Sequence, residues 1–251
     1  MNETFLTAIE MAALNAWPAP RQMLYDGWLL RFTGGDSKRV NSVNFLEPSK
    51  LPLEEKIHTC EAIFAHQELP VIFRLVDFLT PPELRDALSA AGYIEFDPTF
   101  VLGREISGNT VTLDHELISY ETHLMEQTDW LALCAGLMGK PLVSLGNHAR
   151  VLAGIVPQKA LLGLYVEGEP VACGMGVVER GLLGFFSIYT RAAARRRGYG
   201  RAVMDALMQW GSQQGAHYGY LQVEGDNTAA RAMYAEMGYQ PVYGYSYSKQ
   251  L

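Results

Sequence analysis

The stretch Ser187-Ile188-Tyr189-Thr190-Arg191-Ala192-Ala193-Ala194-Arg195-Arg196-Arg197-Gly198-Tyr199-Gly200-Arg201 runs from the end of a strand, through an Arg- and Gly-rich loop, into a helix. The apolar run Leu182 to Thr190 predicts the strand, and Val203, Ala206, Leu207 and Trp210 mark one face of a helix from Tyr199 to about Gln214. A helix N-terminus offers unpaired N–H groups and the positive end of the helix dipole, both suited to a pyrophosphate. Gly198 and Gly200 let the backbone approach such an anion closely, while Arg195, Arg196, Arg197 and Arg201 add charge and fixed donor geometry. Read alone, an Arg run is a solvated loop. The spacing is not the G-x-G-x-x-G dinucleotide fingerprint, nor does it end in the Gly-Lys-Ser/Thr of a nucleotide phosphate loop.

A second strand–helix segment follows, Leu221-Gln222-Val223-Glu224-Gly225-Asp226-Asn227-Thr228-Ala229-Ala230-Arg231-Ala232-Met233-Tyr234-Ala235-Glu236-Met237-Gly238-Tyr239. Asn227 and Tyr234 lie two helical turns apart, so both project from one face. Each has a structural reading of its own. Asn is a favoured helix N-cap, and a Tyr at such a position is commonly a core aromatic whose hydroxyl finds a partner.

Together the two segments resemble the GNAT N-acetyltransferase family. Arg195-Arg196-Arg197-Gly198-Tyr199-Gly200 matches its Q/R-x-x-G-x-G/A motif, and Leu221 to Tyr239 follows its L-x-V-x-x-x-N-x-x-A-x-x-(L/M)-Y-x-x-x-G-(F/Y) pattern. The resemblance implies that backbone N–H groups from Arg196 to Arg201, Tyr199 among them, cradle the pyrophosphate of acetyl-CoA. It also implies that Ile188 and Thr190, flanking Tyr189, bond the pantetheine arm as an added strand. Asn227 is implied to contact the donor, and Tyr234 to protonate the departing thiolate. In several relatives a Glu on the strand, at the position of Gln222 here, deprotonates the amine, and an amide cannot do this. Glu224, two residues along on the same strand face, is the leading substitute, with Tyr189 and Glu179 behind it. A solvated strand-end carboxylate is the bland reading of Glu224.

Outward from this region the chain reads as alternating elements. A helix is expected from about Thr4 to Asn15, strands at Gly27 to Phe32 and Asn41 to Leu46 around Gly34-Gly35-Asp36, a helix from Pro52 through His66, a strand at Val71 to Val76, and a helix from Pro81-Pro82 to Gly92. A Ser107-Gly108-Asn109 turn and an alternating segment, Val111 to Glu121, open the second series. Helices are expected near Asp129 to Met138 and Pro141 to Leu152, a hairpin across Glu167-Gly168-Glu169-Pro170, a strand at Tyr218 to Val223, a helix from Thr228 to Met237 and a final strand pair. Setting Gly92-Tyr93 on Gly238-Tyr239 superposes Arg85–Ala91 on Arg231–Met237 without a gap.

The expected fold is α/β (α+β): two GNAT-like, mixed, mostly antiparallel sheets flanked by helices and packed in tandem. Residues 1–106 form a degenerate N-terminal domain lacking the acetyl-CoA motifs, and residues 107–251 form the catalytic domain. The first hundred residues have no Arg-Gly loop, and Tyr234 and Asn227 fall on Leu88 and Pro81 in the alignment. Tandem members with one inert half use it to wall the acceptor cleft. The polar series Arg31, Asp36, Lys38, Arg39, Asn41 and Ser42 either faces that cleft or is the solvated side of a hairpin.

Composition sets the outer bounds. With 49% hydrophobic and 19% charged residues, the 251-residue chain is globular. A net charge of −7 argues against broad nucleic-acid binding. Cys60, Cys134 and Cys173 are odd in number and sit among apolar neighbours, which fits a reduced, cytoplasmic compartment. The start of the chain lacks a basic signal peptide, no apolar run approaches a membrane span, and the histidines show no metal-binding spacing. The expected partners are acetyl-CoA and an amine acceptor, a small amine or amino acid in preference to a protein N-terminus or lysine, with no metal, nucleic acid or membrane, in a monomer or homodimer. A non-catalytic acyl-CoA-binding regulatory module is the competing reading, raised by Gln222.

Overall fold

The first helix, α1 (Glu3–Ala16), starts where the Asn2 side-chain oxygen accepts the Phe5 amide at 3.0 Å. The computed structural model describes residues 2–35, 37–106 and 119–250. Strands β1 (Arg21–Tyr25) and β2 (Trp28–Phe32) then form a hairpin whose turn residues, Asp26 and Gly27, both have positive φ. A Cβ on Gly27 would lie 2.5 Å from the Glu47 carbonyl oxygen, so only glycine fits. Next come β3 (Val43–Phe45), α2 (Leu53–His66), β4 (Phe73–Val76), α3 (Pro82–Ala90) and the long β5 (Tyr93–Glu105).

The second series begins with β6 (Glu121–Leu124), α4 (Gln127–Met138), a 3-10 turn at Leu142–Leu145 and α5 (Gly146–Ala153). It continues with β7 (Gln158–Val166), β8 (Glu169–Glu179), β9 (Leu182–Thr190), α6 (Tyr199–Gln213), β10 (Tyr218–Glu224), α7 (Thr228–Glu236) and β11 (Gln240–Gln250).

All eleven strands lie in one sheet, in the order β1-β2-β3-β4-β11-β5-β10-β9-β8-β7-β6. The sheet is mostly antiparallel; only β3 with β4 and β9 with β10 run parallel. With β6 set aside and α4 and α5 taken together, the same order appears twice: a helical segment, three antiparallel strands, a helix, a parallel strand, a helix and a last strand. In each series the last strand stands one place away from the strand before it. The slot between β10 and β11 is filled by β5, and the slot between β4 and β5 by β11. This reciprocal exchange joins the two expected sheets into one.

Three apolar layers hold the sheet. One places Ile9, Ala12, Ala13 and Ala16 of α1 on Met175, Val177, Phe186 and Tyr220 of the second series, together with Trp130 of α4. The opposite layer packs Val203 and Leu207 of α6 and Tyr234 of α7 on Leu183, Phe185 and Leu221. The third belongs to the first series and collects Trp28, Phe73, Leu75, Phe64 and Leu88.

Several expectations change. Strand β1 was not foreseen; at this sheet edge its residues are exposed, so no buried alternation marks them. Strand β5 was also missed, because Pro98 and the positive φ of Asp97 interrupt its pattern and produce a bulge opposite β11. The final strand pair is a single strand, bent by register shifts instead of turned back. The helix expected over Pro141 to Leu152 is split into the 3-10 turn and α5. The Ser107-Gly108-Asn109 turn, residues 111–118 of the alternating segment, and Asp36 lie outside the described residues. Among those described, the three cysteines are buried and free, and no helix is long and apolar enough to cross a membrane.

Candidate active site

The parallel pairing of β9 with β10 ends at Phe185 and Leu221, yet β9 continues to Thr190 and β10 to Glu224. Beyond that point the two strands diverge, and the β10-facing edge of β9 has no strand against it. A bulge coincides with the divergence. The register with β8 slips between Cys173 and Met175, and Ser187 at the slip has φ +51°. Ile188 packs towards α6 and Tyr189 against the opposite layer, so successive side chains clasp both faces while the backbone edge stays open.

The loop after β9 delivers the start of α6 to the mouth of this cleft. Arg196 (φ +60°) and Gly198 (φ +80°) are left-handed, and Gly198 occupies the N-cap. Asn side chains cap α1 and α7, whereas among the described residues no side chain caps α6, as is also true of α2 to α5. The first amides of α6 are thus left to a ligand or to water. A Cβ built on Gly200 would meet Thr190 Oγ1 at 3.5 Å and Met233 Sδ at 3.6 Å, ordinary contacts. Protein packing therefore does not require a glycine there. Arg195, Arg196 and Arg197 are exposed, with the Arg195 Nε donating to the Thr190 carbonyl at 3.3 Å and its guanidinium 5.7 Å from the Tyr189 ring. Arg201 faces Asp205 one turn along α6 at 3.7 Å, and the Tyr199 side chain is buried in the core, leaving only its backbone to the loop.

A cavity of about 450 Å³ opens where the strands separate. Ile188, Gln222, Glu224, Asn227 and Tyr234 line it. Asn227 does cap α7, accepting the Ala230 amide at 3.2 Å, which leaves its Nδ2 for the cleft. Tyr234 is buried, its ring 6.0 Å from that of Tyr239, and its hydroxyl has no hydrogen-bond partner among the described residues. Burial pushes this phenol up to about 12, so it carries its proton throughout the neutral range. Glu224 is at the exposed rim. Glu179 is elsewhere: it is held by Asn15 at 3.0 Å and Arg180 at 3.2 Å, away from this cavity.

The first series supplies the facing wall, with Trp17, Lys38, Arg39 and Thr99, and β11 adds Tyr245 and Tyr247. The polar series is not a solvated hairpin face. Arg31, Asn41 and Ser42 are buried; Arg31 donates to the carbonyls of Leu14, Trp17 and Arg39, and Asn41 accepts the Thr33 amide at 2.8 Å. Lys38 is paired with Asp97. Behind the wall, the buried Arg74 and Glu10 form a two-point ion pair, and Tyr243 donates to Glu10 at 2.8 Å. Tyr245 donates to Gln222 Oε1 at 2.9 Å. Burial alone would raise the Tyr245 phenol, but the charges of Arg39 and Arg74 more than offset it and hold it below the ordinary value.

His148 of α5 was not singled out beforehand. Its Nε2 lies 3.5 Å from the Ser187 hydroxyl, and burial between the rings of Trp17 and Trp130 lowers its pKa, keeping the imidazole neutral. Nothing in its sequence neighbourhood marks it, because Ser187, Trp17 and Trp130 reach it from three other elements.

A family model described as "Probable histone acetyltransferase Rv0428c C-terminal" matches residues 6–248. The chain belongs to this acetyltransferase family. The match takes in both series of the sheet, so the first hundred residues are part of the family's unit. The chain is 28% identical over 242 residues to the "Uncharacterized N-acetyltransferase YobR" of Bacillus subtilis, covering 95% of this chain and 96% of that one. It shares the fold of a GCN5-related N-acetyltransferase from Kribbella flavida, with TM-score 0.72, 17% identity and coverage of 97% and 95%. A tandem GNAT protein from the clavulanic acid biosynthesis pathway superposes with TM-score 0.64 and 11% identity over 82% of this chain and 74% of its own. This Rv0428c-type protein is a GNAT acetyltransferase with the family's mixed α+β fold.

Proposed function

We propose that the cleft between β9 and β10 binds acetyl-CoA and that the chain transfers its acetyl group to the amine of a small molecule or amino acid by direct attack. The observation that carries this is proximity: Ile188 on the open edge of β9 and Tyr234 line one cavity, and the uncapped start of α6 sits at the end of the same edge, where a Cβ on Gly200 would lie 3.5 Å from Thr190 Oγ1. The pyrophosphate would lie on the amides following Gly198, with Arg195, Arg196, Arg197 and Arg201 around it, and the pantetheine arm along Ile188 to Thr190. Asn227 Nδ2 would donate to the donor.

In the reaction a neutral amine attacks the thioester carbonyl carbon, the C–S bond breaks, the sulfur takes a proton from Tyr234, and the proton lost by the acylated nitrogen restores the phenol through water. A phenol at about 12 is a weak acid beside an ordinary thiol. The same dry surroundings raise the thiol, so the mismatch narrows. The ammonium form of the acceptor must first lose a proton. Glu224 is our proposed base, acting at the rim through water. The Ser187–His148 contact favours a second route, in which the Ser187 hydroxyl passes the proton to the neutral imidazole.

Residues 1–106 are proposed to be a degenerate copy of the domain at 107–251, acting as the acceptor wall in a cytoplasmic protein. The small walled cavity favours a small acceptor over a histone-type lysine side chain on a folded protein. A thiol-release assay over amino acids, polyamines, aminoglycosides and N-terminal peptides tests the reading. Acetyl-CoA-dependent release with at least one small amine is expected; saturable acetyl-CoA binding without release from any acceptor would instead indicate a binding module.

A further inference from the structure

Among the described residues, the acceptor-side wall carries a guanidinium that no carboxylate pairs with. Arg31, Arg39 and Arg74 cluster behind and along it, and the neighbouring carboxylate, Glu10, is already engaged by Arg74 and Tyr243. Arg31 is satisfied by backbone carbonyls, and Lys38 by Asp97. Arg39 lines the cavity, its guanidinium 5.9 Å from the Trp17 ring and 6.0 Å from that of Phe186, with no carboxylate partner among the described residues. Its Nε is buried without a hydrogen bond. The Gln222 Nε2, also on the cavity wall, is likewise buried and unpaired, its amide oxygen being taken by Tyr245. Buried donors of this kind are costly unless a ligand completes them.

We propose that the acceptor amine carries a carboxylate, which Arg39 binds with the Gln222 amide as second donor. This deepens the acetyltransferase reading and rests on it. A carboxylate is favoured over a phosphate because, among the described residues lining this wall, Arg39 is the one guanidinium without a partner; a dianion would require a second cation, and Lys38 is committed to Asp97. Gln222 thereby acquires a reason to be an amide. A glutamate there would repel the acceptor's carboxylate and pair with Arg39 itself.

The test compares each standard amino acid with its carboxamide as acceptor, using thiol release with acetyl-CoA, for the natural chain and for Arg39→Gln. At least one amino acid should exceed its carboxamide in kcat/KM by about 10- to 100-fold, the range of a charge-assisted hydrogen-bonded pair. In Arg39→Gln that ratio should fall towards one, mainly through KM, with acetyl-CoA affinity by calorimetry unchanged; a melting temperature near that of the natural chain excludes misfolding, and Gln222→Leu gives a second, milder loss of the ratio. Equal use of acids and carboxamides, or equal loss of both in the variant, overturns the proposal while leaving acetyl transfer standing. If no amine of either series releases thiol although acetyl-CoA binds, calorimetry of the amino acids with the CoA-loaded protein decides: binding lost in Arg39→Gln supports the anionic subsite, and no binding overturns it. Absence of acetyl-CoA binding altogether would instead remove the reading beneath it.

Discussion

Tyr234 illustrates how one side chain can serve both packing and the proposed chemistry. Its ring belongs to the α6–α7 layer, and its hydroxyl is left at the cavity without a protein partner. Tyr234→Phe should keep the fold and lower kcat about 100-fold or more, the scale of a lost general acid, with acetyl-CoA affinity within about threefold. Steady-state kinetics beside calorimetry checks this, and an unchanged kcat would remove Tyr234 as the acid. Glu224→Gln and His148→Gln, compared by the acidic limb of the pH–rate profile, separate the two proton routes, because only loss of the true base abolishes that limb. His148 also links pH to stability. Its folded pKa lies below the ordinary imidazole value of about 6.5, so the folded state binds the proton less well than the unfolded one. Its contribution is therefore complete above about 6.5 and declines as pH falls towards the lowered value. His148→Phe should flatten the melting temperature against pH in that window.

At the level of elements, the loop before α6 contrasts with the corresponding loop before α2. In the first series an internal carboxylate, Asp26, accepts the amides of Lys50 and Leu51, each at 3.0 Å, just ahead of α2. Those amide hydrogens are consumed by the protein itself, and no Arg-Gly loop precedes the helix. Calorimetry should accordingly find one acetyl-CoA per chain; a second site would contradict this account. At α6 the amides are open because Gly198 takes a left-handed turn. Gly198→Ala should cost about 1–2 kcal/mol, lower the melting temperature by several degrees and weaken acetyl-CoA binding, since the first turn would rotate out of line.

Across the whole molecule the exchange of β5 and β11 makes the halves interdependent. Removing residues 240–251 would strip β11 from between β4 and β5 and take Tyr243, Tyr245 and Tyr247 out of the core. The truncated chain should lose its cooperative thermal transition in both halves, observed by circular dichroism; a melt like that of the intact chain would show that the halves stand alone. The same exchange brings Arg39 and Gln222, 183 positions apart, to one cavity.

The proposed cofactor side of the site could be named from the sequence because its signals are local. A strand, an Arg-Gly loop and a helix start are contiguous, and Asn227 and Tyr234 share a helix face by spacing alone. Even the repeated order of elements left a trace, in the gapless match of Arg85–Ala91 to Arg231–Met237. The proposed acceptor side was legible only in part: Arg39 was among the polar residues named as candidates to face the cleft, but nothing in the sequence set it apart from Arg31 or Lys38. Arg39, His148 and Tyr245 have no local signature, since what gives each its role is a neighbour from another element: Trp17 and Phe186 for Arg39, Ser187 for His148, Gln222 for Tyr245. The edge strand β1 and the bulged β5 escaped because a strand is identified by its partners, and periodicity fades where one face is solvent or a proline interrupts it. Sequence by itself determined the family and the mixed fold and marked the two segments of the proposed acetyl-CoA site, all products of short-range geometry. Tertiary structure alone decided that the two series share one sheet and that Arg39, without a carboxylate partner among the described residues, lines the cavity with Tyr234, because strand exchange and charge balance are sums over residues far apart in the chain.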